Sequence, residues 1–547
     1  LLSHFLIYLK MNWIISHDTI IFDYKFNKEP NNNLIAGFEK LIFSDYVLDK
    51  KLFEYYTNDN FMNLDYMGSK FNYDISNLPP TLTHLTFGHY FNKDVSNLPP
   101  NMIYLKFGCK FNQDVSNLPP NLIYLKFGYE FNQDVSNLPI SLTHLTFGHS
   151  FNQDVSNLPN SLTHLILGYW FGYDVSNLPN SLTHLTFGHS FNQDVSNLPN
   201  SLTHLILGYW FGYDVSNLPN SLTHLTFDFC FNQDVSNLPE TLIHLRFNYE
   251  FNQNVSNLPN SITYLTFGNQ FNQNVSNLPH NLTRLTFGTD FNQDVFKLPH
   301  TLTHLTFGHY FNKDVSNLPQ NLIYLKFEYE FNQDVSNLPP TLTYLSFGKC
   351  FNQDVKALPS TLTHLTFGTD FDKYVSNLPP TLTYLTFGKY FNQDVKALPP
   401  TLTHLFFDNW FNKDISKLPY SLTHLSLGFS FNQECNIPSN IKYLKLNSNN
   451  VYTINNLPNS VIELELDIYF DLEMDNLPTS IKKLVINKKS CYDKDLNSLP
   501  DFIEELHLNH SYNKRILCIP SNLKKIICHN NYPHKDDFSM CEIQIYV

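Results

Sequence analysis

Positive charge is scarce in this chain: 35 Lys and Arg stand against 49 Asp and Glu, a formal net charge of −14 over 547 residues, and no polybasic stretch offsets it. Nucleic-acid binders need a basic face for phosphate, so that class is excluded. Cysteine is sparse as well. Cys109, Cys230, Cys350, Cys435, Cys491, Cys518, Cys528 and Cys541 show no CxxC spacing and no paired rhythm, a pattern of reduced thiols in a cytoplasmic protein rather than a disulfide framework. N-x-S/T triplets at Asn254, Asn274, Asn281 and Asn509 would suit a secreted chain, but they arise readily where Asn, Ser and Thr abound.

Long apolar runs are missing. The best candidate, LLSHFLIYLKMNWII at the start, is interrupted by Lys10 and has neither a basic lead nor a small-residue cleavage site. It is too short and too broken to span a membrane or to serve as a signal peptide. The numbering opens at Leu1, with Met11 a candidate start. Catalytic signatures are absent too: no G-x-S-x-G, Gly-rich phosphate loop, H-E-x-x-H or kinase set occurs. Catalysis needs a few unique residues converging in a pocket, and this chain instead repeats the same residues many times. No enzyme activity, cofactor or metal is expected.

What the chain does contain is one twenty-residue phrase. From Phe71 to Ser430 eighteen copies run in strict register, with prolines at 79, 99, 119 and onward to 419. Numbering each copy from its Phe, position 1 is Phe, position 5 is Val or Ile, positions 8 and 9 are Leu-Pro, and positions 12, 15 and 17 are apolar. Residues 141–180 and 181–220 are identical, the mark of a duplicated two-repeat block. Beyond Ser430 the wording decays, but prolines 438, 458, 478, 500 and 520 keep the beat, giving twenty-three Pro-anchored turns, and CEIQIYV alternates like a closing strand.

Alternation around positions 12 to 17 predicts a short half-buried strand. Leu-Pro cannot continue a ladder, and the residue before proline is held extended. Pro, Asn, Asp, Ser and Gly in every copy leave no room for a helix on the return path. The six apolar side chains of one copy cannot offset the entropy of ordering twenty residues, so stacking of copies is required. The expected fold is therefore all-β: a leucine-rich-repeat-like solenoid of about 23 short turns, one strand per turn, with a non-helical convex side.

The organisation follows. Residues 1–70 are expected to form an N-terminal cap, α or mixed, because Leu2, Phe5, Leu6, Leu9 and Trp13 recur at helical spacing up to about residue 30. Within that cap Phe38, Leu41 and Phe43 reproduce the spacing of Leu82, Leu85 and Phe87, a degenerate first turn. Residues 71–430 are the regular repeats, and 431–547 are divergent repeats with a C-terminal cap.

The string LPPTLTHLTF at 78–87 resembles the shortest class of leucine-rich repeat, and FN(Q/K)DVSNLP more specifically resembles the FNIP repeat family, known from social amoebae and from large DNA viruses of amoebae. The resemblance implies a protein-binding solenoid. Some members resemble ubiquitin-ligase receptors with an N-terminal F-box. This chain offers only the 1–30 segment as a degenerate or truncated counterpart, so a substrate-receptor role is the alternative to a plain interaction scaffold.

In a solenoid each repeat position becomes a column. Position 14 is His in six consecutive copies, His144, His164, His184, His204, His224 and His244, and should stack imidazoles on the concave sheet. Such a row suits metal binding or pH sensing; a flat polar ring also simply tiles a sheet, and no carboxylate or Cys recurs beside it to complete a coordination shell. Asp at position 4 suits a calcium ladder or, preferably, a cap on the backbone amides of its own turn. Asn at positions 2 and 7 is expected to serve backbone groups as internal ladders. Positions 16 and 18 to 20 vary on a constant frame and, with position 14, supply the candidate partner-binding residues: Trp170, Trp210, Trp410, Tyr169, Tyr209, Arg246 and Arg284 beside the six histidines. The expected partner is a protein, a host protein among the candidates; the chain itself is expected to be monomeric, with no nucleic acid and no membrane.

Overall fold

The computed structural model describes residues 13–16, 18–45 and 68–546. Within them the all-β expectation holds. Nearly every element is a three- or four-residue strand at positions 14 to 17 of its copy, from His84–Thr86 to Lys525–His529, pairing in parallel with the strand one copy on. Including the cap strand Lys40–Phe43 and the closing strand Glu542–Tyr546, the chain makes about 25 turns. It divides into two compact units, Leu1–Gln273 and Asn274–Val547. In the first, the strands run up to Tyr264–Thr266; in the second, from Arg284–Thr286 onward.

Register is set by the repeat length. Leu205 lies opposite Leu185 and Leu225, so like residues meet like through every turn of a unit. The core is the predicted one: in a single turn Phe191, Val195, Leu198, Leu202, Leu205 and Leu207 are all buried. The phenylalanines of positions 17 and 1 form a continuous internal stack. Phe87 lies on Phe91 with ring centroids 3.7 Å apart, and Phe91 is followed by Phe111 at 6.1 Å. From Phe71 to Ser430 no described residue of the return path is helical. Short helices lie outside the regular copies, at Asn32–Ile35 near the start and at Val451–Asn455, which Asn450 caps by accepting the Thr453 N–H at 3.2 Å.

Glycine at position 18 permits the tight stacking. A Cβ on Gly188 would lie 2.0 Å from the carbonyl oxygen of Gly168, inside any allowed contact. Asp228 and Asn248 take this position in their copies, and their backbone N–H groups donate to the Leu207 and Phe227 carbonyl oxygens at 3.2 and 3.1 Å.

The described part of the cap is mixed, as one of the two expected forms: a short helix spans Asn32–Ile35, while strands stand from Trp13 on where helical spacing pointed to a helix. Strand β1 (Trp13–Ser16) and strand β2 (Thr19–Phe22) form an antiparallel hairpin, and β2 runs parallel to β3 (Lys40–Phe43). The β-branched run of Ile14, Ile15, Thr19, Ile20 and Ile21 suits a strand, and β3 supplies an edge to pair with. Residues 1–12, which carry most of the F-box-like spacing, lie outside the described residues. The degenerate first turn is present: Leu41 sits opposite Leu85, and Phe43 stacks on Phe71 at 3.8 Å. Asp45 closes this end. Its Oδ1 accepts the N–H groups of Ser69 and His89 at 2.7 and 2.5 Å, and burial pushes its carboxyl above the usual range.

A core leucine and a position-7 asparagine should respond very differently to truncation. Leu225→Ala is expected to cost about 2–5 kcal/mol, whereas Asn217→Ala, on an exposed turn, should stay within about 0.5 kcal/mol. Urea denaturation midpoints of the two variants measure this, and comparable losses would place Asn217 in the frame.

Candidate interaction surface

Along each strand positions 15 and 17 point into the core, so positions 14 and 16 must point out. The position-14 column is a ladder of rings. His144, His164, His184, His204, His224 and His244 stack with centroids 4.2, 4.2, 4.1, 4.1 and 4.3 Å apart and planes within 12°. Tyr264 extends the stack at 4.2 Å. Five of the six imidazoles sit beside the hydroxyl of the threonine before them, as Thr163 Oγ1 lies 2.9 Å from His164 Nδ1, while His244 follows Ile243. Burial, then the neighbouring imidazoles, hold His164, His184, His204, His224 and His244 below the ordinary histidine range.

A second ladder, at position 19, escaped the sequence reading. Tyr129, His149, Tyr169, His189, Tyr209, Phe229 and Tyr249 stack without interruption at 4.1 to 4.4 Å. Tyr169 and Tyr209 were singled out for chemical type alone; the signal for the whole column was an aromatic ring at position 19 in seven consecutive copies. Trp170 and Trp210 stand edge-on to this ladder, 5.8 and 5.9 Å from His149 and His189, and remain 54% exposed. Between the ladders runs position 16, where Ile166 and Ile206 are exposed and alternate with threonines. Arg246 ends this strip, its Nε–H donating to Asn248 Oδ1 at 3.1 Å. Of the predicted residues, the six histidines and Arg246 lie on outward positions of the strands of the first unit, Tyr169, Trp170, Tyr209 and Trp210 lie in the turns that follow those strands, and Trp410 and Arg284 belong to the second unit. Trp410 is 55% exposed and edge-on to Tyr390.

The opposite columns serve the backbone. Asp94 accepts the Ser96 N–H at 3.0 Å and its hydroxyl at 2.7 Å, and these bonds hold the carboxyl below its usual range. The same pair recurs at Asp134 and Ser136 and at Asp334 and Ser336. Each Asp is thus spent within its own turn as a cap, and no group of three or more His, Cys, Asp or Glu that could hold a metal exists among the described residues. The position-2 asparagines do form a ladder: Asn92 Oδ1 accepts the Asn112 N–H at 3.0 Å and the Gln113 side-chain amide at 3.0 Å. The position-7 asparagines do not share that role. Asn97, Asn117 and Asn137 are exposed, because the Leu-Pro step that follows turns the chain outward there before burying Leu98, Leu118 and Leu138.

Beyond Ser430 the outward columns change character from rings to charges. Lys445 pairs with Glu465 at 2.8 Å and with Asp467 at 3.2 Å, and Lys483 pairs with Glu463 at 2.9 Å. No helix among the described residues is long and apolar enough to cross a membrane.

The FNIP Repeat signature matches residues 71–110, 134–169, 174–210, 231–270, 251–290, 271–310, 311–350 and 374–409. CroV588 from a giant virus, described as a novel circular LRR protein, is 33% identical, aligns over 98% of this chain and 100% of its own, and superposes with a TM-score of 0.77. YopM from Yersinia enterocolitica WA-314 is 19% identical over 81% of this chain and 91% of its own, with a TM-score of 0.41. No curated protein matches.

Acidification should loosen the imidazole ladder. The folded-state pKa values of His164, His184, His204, His224 and His244 lie below the value near ~6.5 of an unfolded chain, so the unfolded state takes up protons first as pH falls. Stability is full above that value and falls below it. The expected melting temperature is lower at pH 5.5 than at pH 7.5, and replacing His164, His184 and His204 by Tyr, which occupies this column elsewhere, should narrow the gap. The contribution of caps such as Asp94, Asp134 and Asp334, whose carboxyls are held low by their serines, is lost only at more acidic pH, as the carboxylates protonate. Identical melting at pH 5.5 and 7.5 is the result that excludes a titrating ladder.

Proposed function

Because the chain belongs to the FNIP-repeat family of leucine-rich-repeat-like proteins, we propose that it is a non-catalytic scaffold that binds a protein partner. The binding surface is the sheet face of its turns and the edge beside it. One observation carries this. In the turns from His144 to Tyr249 the outward columns bring two ring ladders, a strip of exposed isoleucines and the exposed Trp170 and Trp210 onto one surface. Aromatic anchors that are rigidly held yet exposed are the usual carriers of protein-binding energy, and a stacked column holds each ring at little further entropic cost.

The concavities on the other side support a non-catalytic role. One is lined by Asp154, Val155, Ser156, Tyr173, Asp174 and Val175, the capping residues of successive turns, which have neighbours of the same kind along the unit. Eight free cysteines support a cytoplasmic site of action, where thiols stay reduced. We take the chain to act as a monomer, its partner a protein of the host in which it is made.

Affinity capture from host cytoplasm, read by mass spectrometry, tests this. A specific protein should be recovered by the wild type and lost by the Trp170→Ala, Trp210→Ala double variant, whose melting temperature should be unchanged because both side chains are exposed. A partner retained by that variant would move the interface elsewhere, and no specific partner from any preparation would end the scaffold proposal.

A further inference from the structure

The asparagine ladder of position 2 breaks at two points. Elsewhere the Asn side chain accepts the backbone N–H one turn on, as Asn132 Oδ1 does from Asn152 at 2.9 Å. Gly172 and Gly212 hold this position once in each copy of the duplicated block, and a glycine has no acceptor to offer. Each still donates its own N–H to the asparagine before it, Asn152 or Asn192, at 3.0 Å. On the other side, among the described residues, no protein atom accepts the N–H of Asn192 or of Asn232. There is room beside these groups. A Cβ on Gly172 would meet nothing nearer than the Trp170 carbonyl oxygen, and one on Gly212 nothing nearer than the Gln233 side-chain amide, each 4.0 Å away. Each break is a slot that other copies fill with a side chain, and an N–H donor faces it.

An exposed indole precedes each slot by two residues, Trp170 before Gly172 and Trp210 before Gly212, and the small Ser190 holds the same position in the turn between them. Trp170 N–H donates to the His149 carbonyl, Ser190 N–H to that of Tyr169 and Trp210 N–H to that of His189, at 3.0, 2.8 and 3.0 Å. Backbone bonds of this kind keep successive turns ~4.8 Å apart, so the two tryptophans recur at ~9.6 Å. Their ring planes stand at 86° and 83° to the imidazoles of His149 and His189, and so run along the row of turns. Each indole adds an N–H that can only donate.

Donors beside apolar rings call for an acceptor ligand without charge. A carboxylate would sit poorly here, because Asp154, Asp174, Asp194 and Asp214 follow position 2 by two residues and the chain has no Lys or Arg from Phe127 to Leu245 to offset them. A neutral carbonyl suits. A polyproline II segment makes no internal hydrogen bonds and repeats every three residues at ~9.3 Å, close to the spacing of the two tryptophans, and its prolines have no N–H to satisfy.

We propose that the duplicated block is a docking site for an uncharged, proline-rich segment that lies along the turns in polyproline II form. Prolines three residues apart pack on Trp170 and Trp210. The segment's carbonyl oxygens accept from the two indoles and from the N–H groups of Asn192 and Asn232 in the slots. This rests on the scaffold proposal and names the partner's chemistry.

The probe is fluorescein-labelled decaproline, titrated into the full chain by fluorescence anisotropy at pH 7.5, with a labelled glycine-serine decamer as control. Decaproline should bind and the control should not. The double variant Gly172→Asn, Gly212→Asn restores the residue that most copies carry, so its melting temperature should not fall. By filling the slots and occupying the two N–H groups it should weaken decaproline binding by about tenfold or more. Trp170→Ala alone, at an exposed position, should weaken it by about tenfold as well, because one segment needs both indoles. Equal binding of the two peptides, or unchanged affinity in the glycine double variant or in Trp170→Ala, would overturn the proposal. A partner captured through Trp170 and Trp210 without any binding of decaproline would sink this inference and leave the scaffold standing.

Discussion

Every side chain in this protein has to tolerate a copy of itself one turn away. That constraint follows from in-register parallel pairing of twenty-residue turns, and the turns must pair because none can fold alone. Inside, like on like is easy. Phenylalanine stacks on phenylalanine, leucine packs on leucine, and an asparagine side chain can accept the backbone N–H of the next asparagine, as Asn92 does from Asn112. Outside it is hard, because a column of one charge repels itself.

The two parts of the chain meet that difficulty differently. Through the regular copies the outward columns are mostly uncharged: imidazoles held neutral, tyrosines, threonines and isoleucines. Where two lysines do follow one another, Lys106 is pushed below its usual range by burial and then by Lys126. In the divergent turns the columns alternate in sign instead, Lys445 between Glu465 and Asp467, Glu463 against Lys483. The charged face satisfies itself. The ring face leaves the aromatic edges of Trp170 and Trp210 exposed, which is why binding is placed there and not on the divergent turns.

The ends need other devices. A strand with nothing to pair with would leave a row of unpaired backbone groups. At the start, β1 folds back antiparallel on β2, while Asp45 accepts the two amides of Ser69 and His89 that no earlier copy can satisfy. Helical spacing pointed away from this hairpin because a pattern of threes and fours among Leu2, Phe5, Leu6, Leu9 and Trp13 carries no information about the neighbouring edge. Ile20 and Ile21 are buried as strand residues because β3 offers them a ladder.

The repeat itself determined the strands, their register, the six buried positions, the Asp caps and the stacking of the six histidines, because a period of twenty residues with fixed Leu-Pro allows one way to bring like onto like. Tertiary structure decided what a column does once it is stacked. It exposed the position-7 asparagines, which text alone could not separate from those at position 2. It joined His149, His189 and Phe229 to the tyrosines of position 19, since residues of different letters form one ladder only when their rings lie at the same height. It also set five of the six stacked imidazoles beside the hydroxyl of the preceding threonine, as His164 Nδ1 lies 2.9 Å from Thr163 Oγ1. A sequence gives the identity of an imidazole, whereas what its ring stacks on and what its nitrogen meets depend on which residues the turns bring to the same height.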